Sequence, residues 1–118
     1  MKRIIFYVCP HCGNVMQAER ECQMICCGQA LQPLQASVPD EKHMIALTKV
    51  EDEWYLQMPH EMRKEHYITF IACVGYDRVL TMRLYPEQDC AVRMPIMRSG
   101  KIVYYCNKHG LFEYIIKR

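Results

Sequence analysis

Cys106 and His109 stand three residues apart in Tyr105-Cys106-Asn107-Lys108-His109-Gly110, on a turn marked by Asn and Gly. A thiolate and an imidazole so spaced can grip one metal ion, yet two ligands leave most of its coordination sphere open. The richest supply of further donors lies at the other end of the chain. Cys9-Pro10-His11-Cys12-Gly13 is a CxxC closed by glycine, a turn that brings two sulfurs onto one ion while backbone amides point at them. Cys22 and the adjacent pair Cys26-Cys27 follow, and Gly28 after the pair favours Cys26 and Cys27 over Cys22 as the other half of a four-thiolate site. Adjacent ligands must splay, so a distorted tetrahedron is expected. A redox CxxC of the thioredoxin kind would sit in a strand-helix-strand pattern that is absent here. His11 is expected to face solvent. His60 and His66 flank a charged loop six residues apart, which is not the helical spacing of a zinc protease, and by spacing alone they carry little weight.

The elements that must position these donors are constrained by composition. The chain has 118 residues, 51% hydrophobic and 24% charged, with a net charge of +2. That balance suits one globular domain, or one plus a small metal-stapled module, and argues against nucleic acid as a partner. Eight cysteines without an export signal point to metal rather than a disulfide framework. Met1-Lys2-Arg3 is followed by too short an apolar stretch for a signal peptide, and no run approaches the roughly 20 apolar residues that span a bilayer. The expected setting is the cytoplasm, with no membrane partner.

Ile4 to Val8 reads as a short strand leading into the first CxxC. Residues 31 to 39, with Pro33 and Pro39 and little periodicity, read as a linker. The organisation expected is a four-cysteine module over 1–36, too small for its own apolar core, and a second domain over 37–118. There, short β-like runs recur at His43–Val50, Trp54–Met58, Tyr67–Val74, Val79–Tyr85, Ala91–Ile96, Ile102–Cys106 and Leu111–Ile116. Turn signals at Gly75-Tyr76-Asp77, Pro86 to Asp89, Ser99-Gly100 and Asn107 to Gly110 separate several of them. Such a series predicts an antiparallel sandwich. Tyr67–Val74 is apolar on both faces and therefore central. Pro59 to Glu65 is the one helix-like piece. Cys73 reads as a core residue.

Taken in order, Cys9-Pro10-His11-Cys12 with Cys26-Cys27, then Glu41-Lys42-His43, His60, His66-Tyr67-Ile68 and Cys106-Asn107-Lys108-His109-Gly110 resemble desulfoferrodoxin, the two-iron superoxide reductase family. The resemblance covers nearly the whole chain. It implies a desulforedoxin-like module with iron, or zinc, on Cys9, Cys12, Cys26 and Cys27, followed by an immunoglobulin-like sandwich. It also implies a second iron held by His43, His60, His66 and His109 around a plane, with Cys106 behind and the sixth position open. Lys42 would stand over the open face, attract superoxide and assist its protonation. Glu41 would be able to occupy the open position of the oxidised iron. The implied activity is reduction of superoxide to hydrogen peroxide with a rubredoxin-like electron donor, in a homodimer. The alternative is a non-catalytic electron carrier that keeps the ligands. Two positions depart from the family pattern, Ile45 and Glu61, each where proline is common. Glu61 would place a carboxylate close to His60, and Tyr67 would lie near the metal.

Overall fold

The computed structural model describes residues 4–96 and 100–116, so Met1 to Arg3 and the Ser99 half of the Ser99-Gly100 turn lie outside the described residues. The backbone divides into two compact units, Met1–Gln35 and Ala36–Arg118.

The first unit is built from two hairpins. Strands β1 (Ile5–Val8) and β2 (Val15–Ala18) pair antiparallel, with Val8 opposite Val15. Strands β3 (Met24–Cys26) and β4 (Gln29–Leu31) pair likewise, with Cys26 opposite Gln29. Only β1 was legible as a strand, because the others are three or four residues long and offer no sustained alternation. Tyr7, Cys9 and Leu31 form a small buried cluster against which Ile5, Met16, Ala18, Met24 and Cys26 pack.

The second unit is a two-sheet antiparallel arrangement, as the recurring short runs predict. Strands β5 (Ala46–Val50), β6 (Glu53–Gln57) and β9 (Ala91–Pro95) form one sheet, in the order β5-β6-β9. Strands β7 (Ile68–Val74), β8 (Val79–Arg83), β10 (Gly100–Cys106) and β11 (Gly110–Ile116) form the other, in the order β11-β10-β7-β8. All seven residues of β7 are buried, which fits its central place. The core joins both sheets: Leu56 and Met94 from one pack in a cluster with Ile71, Cys73, Ile102, Tyr104 and Phe112 from the other. Cys73 is 2% exposed and belongs to this core.

Two expectations about local structure are corrected. Pro59 to Glu65 is not helical. Its backbone is committed elsewhere: Arg63 and His66 exchange backbone hydrogen bonds of 2.9 and 3.0 Å in a tight turn, and the Met62 carbonyl accepts from the N–H of Glu87 at 2.6 Å. The strand expected from His43 begins only at Ala46. Before it, Glu41–His43 forms a single 3-10 turn, capped by the Asp40 side chain accepting from the N–H of His43.

Candidate metal centres

In the first unit the four sulfurs of Cys9, Cys12, Cys26 and Cys27 all lie within 4.8 Å of one another, with Cys12 and Cys26 at 3.5 Å. The β1–β2 turn delivers the first pair. The N–H of Gly13 donates to the Cys9 carbonyl at 2.9 Å, and Gly13 takes φ 77°. The β3–β4 turn delivers the second pair. Cys27 and Gly28 are its two central residues, both at positive φ (54° and 74°), the signature of a type I′ hairpin turn. Cys26 ends a strand while Cys27 sits in the turn, which is how adjacent residues reach one point. The N–H groups of Cys12 and His11 point at the Cys9 sulfur and lower its pKa to about 6, whereas hydrogen bonding from Cys12 and Cys9 pushes Cys27 up to about 12. Four neighbouring thiols cannot all ionise unaided, so the set is chemically complete only around a cation. Cys22 is outside the group, its backbone N–H and C=O both bonded to the Tyr7 hydroxyl at 3.3 Å.

In the second unit, donors from three loops meet at one end of the sandwich. His43 closes the 3-10 turn, its carbonyl accepting from the buried Tyr104 hydroxyl at 2.6 Å and its ring stacked on Phe112 at 4.4 Å. His60 precedes the Arg63–His66 turn and His66 closes it. Cys106 ends β10 where the pairing with β7 slips between Tyr105 and Cys106, an irregularity of the kind that re-aims a side chain. His109 lies in the three-residue loop that closes on Gly110, at φ 93°. The four rings form a closed circuit, with centroids 5.3 Å apart for His43–His60, 4.5 Å for His60–His66, 5.0 Å for His66–His109 and 4.9 Å for His109–His43. Donor atoms of His43, His60, His66 and Cys106 lie within 4.8 Å of one another. His109 falls outside that tight set but turns Nδ1 to the Cys106 sulfur at 3.4 Å, and His60 turns Nε2 to it at 3.6 Å.

Hydrogen bonds from outside the ring fix the orientation of two imidazoles. Asp40 Oδ1 lies 2.7 Å from His43 Nδ1, and Glu61 Oε2 lies 2.9 Å from His66 Nδ1. A carboxylate accepts, so Nδ1 carries the proton and Nε2 keeps its lone pair in both rings. Those Nε2 atoms are buried without a partner, as is Nδ1 of His60. Buried nitrogens left unpaired are costly, and lone pairs converging beside a buried sulfur are what a metal ion satisfies. Neutral imidazoles with one thiolate suit divalent iron, and four thiolates suit iron or zinc. Burial and the neighbouring His66 lower the pKa of His60 to about 4, so its ring stays neutral. The Asp40 and Glu61 carboxyls are held below their ordinary range by their histidine partners.

A cleft of about 750 Å³ opens in front of the ring, lined by Asp40, Glu41, Lys42, His43, Pro59, His60, Glu61, His66 and His109. Cys106 is wholly buried and takes no part in that lining. Lys42 and Glu41 thus share the cleft with the imidazoles, while the thiol stands behind them. Glu61 lies close enough to His60 for their charges to act on each other, as expected, and its carboxylate bonds in addition to the ring of His66, at the end of the Arg63–His66 turn. Tyr67 is tied to Asn107, whose Oδ1 accepts from the Tyr67 N–H at 3.0 Å and whose Nδ2 donates to the Glu65 carbonyl at 3.2 Å. Asn107 therefore clamps the His66 loop to the Cys106 turn. Asp40 and Tyr104 were not singled out from the sequence, and Asn107 was read only as a turn marker.

No family model matches the chain. It is 27% identical over 116 residues to a desulfoferrodoxin homolog of Archaeoglobus fulgidus, covering 91% of this chain and 93% of that one. It is also 27% identical over 119 residues to the desulfoferrodoxin of Desulfarculus baarsii, covering 92% and 94%. The crystal structure of the superoxide reductase from Treponema pallidum superposes with a TM-score of 0.82 over 96% of this chain and 98% of that chain, at 16% identity. A one-iron superoxide reductase from Giardia intestinalis gives 0.56 over 67% of this chain and all of that one, at 19% identity. Along nine-tenths of its length the chain is thus similar to proteins named desulfoferrodoxin, it shares the fold of the Treponema pallidum superoxide reductase, and it brings together two donor clusters.

Proposed function

We propose that the protein is a superoxide reductase, converting superoxide to hydrogen peroxide with one electron and two protons. The observation that carries this reading is the sidedness of the second centre: four imidazoles in a circuit, a buried thiol behind them and an open cleft with Lys42 on its wall in front. The nitrogens of His43, His60, His66 and His109 and the Cys106 sulfur would hold iron there, and ferrous iron supplies the single electron the reaction needs. Cys106, buried on the side away from the cleft, would donate electron density to that iron, which would favour the transfer. Lys42 attracts the anion into the cleft and relays a proton through water. Glu41, on the same wall, would cover the centre once substrate has left. Cys9, Cys12, Cys26 and Cys27 would hold the other iron, or zinc. An external rubredoxin-like protein would return the electron, and a homodimer would be the working form.

The test is stopped-flow spectroscopy of the iron-loaded chain. Superoxide should be consumed in stoichiometric coupling to donor oxidation, with peroxide and no oxygen formed. Lys42→Ala should slow the approach of superoxide by about ten-fold or more at low salt, with the effect shrinking as salt rises. An iron-loaded protein that leaves superoxide untouched would be an electron carrier instead. In that case its oxidation rate would be indifferent to Lys42.

A further inference from the structure

Asp40 and Glu61, two carboxylates beside the imidazole circuit, take no part in the proposed reaction. Glu61 is 49% exposed, yet both its oxygens are engaged, Oε1 by Arg63 Nε at 3.4 Å and Oε2 by His66 Nδ1 at 2.9 Å. Arg63 and His66 are joined by their reciprocal backbone bonds. The carboxylate thus closes a small cycle in which the His66 ring has one orientation. Asp40 makes a parallel arrangement, its Oδ1 accepting from the backbone N–H of His43 at 3.0 Å and lying 2.7 Å from Nδ1 of the same residue. His60 has no such support, since its Nδ1 is buried without a partner.

We propose that Glu61, together with Asp40, is a positioning residue for the iron: each carboxylate locks one imidazole with Nε2 facing the centre and makes that nitrogen a stronger donor, favouring the oxidised metal. A carboxylate accepting from the far N–H of a ligating imidazole fixes its tautomer and raises its basicity, and loss of such a partner typically weakens metal binding by about 10- to 100-fold. Greater donor strength stabilises the higher charge on the metal, so the reduction potential of the centre falls. The two supported rings, His43 and His66, are not neighbours in the circuit, so the effect acts from opposite sides of the ion. This inference rests on reading the circuit as an iron centre. It does not require superoxide turnover.

The experiment uses the full, iron-loaded chain without superoxide. Glu61→Gln keeps the length of the side chain and an oxygen that can still accept from Nδ1–H, but removes the charge. Its thiolate-to-iron absorption should persist while its midpoint potential rises. Glu61→Ala removes the support entirely and should yield ferrous iron to a competing chelator with an affinity weaker by about ten-fold or more. Asp40→Asn, which preserves the turn cap, should raise the potential in the same direction. The four-cysteine centre serves as the internal control and should not move. The inference is overturned if Glu61→Gln has the parent potential, or if Glu61→Ala holds iron as tightly as the parent. A fall in melting temperature with both quantities unchanged would make Glu61 a loop brace only, and overturns it equally. These shifts are read at rest, so a failure of superoxide turnover refutes the proposed activity and leaves them standing.

Discussion

The four-cysteine unit and the histidine centre converge donors on a point by opposite means. Cys9, Cys12, Cys26 and Cys27 are delivered by two tight turns whose geometry is local, a Gly13-closed knuckle and a Cys27-Gly28 hairpin turn. Beside them, among the described residues, Tyr7, Cys9 and Leu31 form a small buried cluster. His43, His60, His66, Cys106 and His109 come from loops far apart in sequence, and a continuous core from both sheets holds those loops in place. In the first unit the metal must organise the protein, whereas in the second the protein organises the site. The reason is apolar area: a unit that buries little surface cannot offset its chain entropy without a cross-link.

The largest effect that could break this comparison is metal removal. Stripping both centres with a strong chelator should unfold residues 1–35 while 36–118 keeps its sheets, as read by amide hydrogen exchange. Persistent protection of the β1 and β3 amides in the stripped protein would show that the first unit stands on its own core. A smaller effect is expected from Tyr104→Phe. This change leaves the buried His43 carbonyl without its donor and should cost the second unit about 1–3 kcal/mol, with the first unit unaffected. Equal melting of variant and parent would mean that the 3-10 turn is held by its Asp40 cap and Phe112 alone.

The smallest effect concerns acid. His60 is held neutral, with a pKa of about 4 against 6.5 for the free side chain. The unfolded chain therefore binds that proton more readily than the folded one, and stability of the metal-free second unit should fall as pH drops from about 6.5 through about 4. Denaturant titrations across that window check it. His60→Gln should flatten the dependence, and an unchanged slope would place the acid sensitivity elsewhere. Above pH 6.5 the two chains should show no difference attributable to this ring.

Much of the site was legible because donor chemistry is written in residue type. The CxxC closed by Gly13, the pair followed by Gly28 and the Cys106–His109 turn each carry their own backbone requirement. Strand positions in the second unit were readable for the same reason, since β7 and β10 are long enough to show their apolar pattern. The Pro59–Glu65 segment misled because its polar composition suits a helix, and only the partners of its backbone groups exclude one. β2, β3 and β4 were too short to announce themselves.

By itself the sequence determined which residues could ligate, that one set is local, and that the second unit is a stack of short strands. Residue type and near-neighbour spacing suffice for that. Only the tertiary structure decided that His60 and His66, unremarkable six residues apart, turn toward His43 and His109, and that the Glu61 carboxylate hydrogen-bonds the ring of His66. Those relations depend on Asn107 and Tyr104 bridging loops some 40 and 61 residues distant in sequence. Contacts of that range are set by how two sheets pack, and no local pattern encodes them.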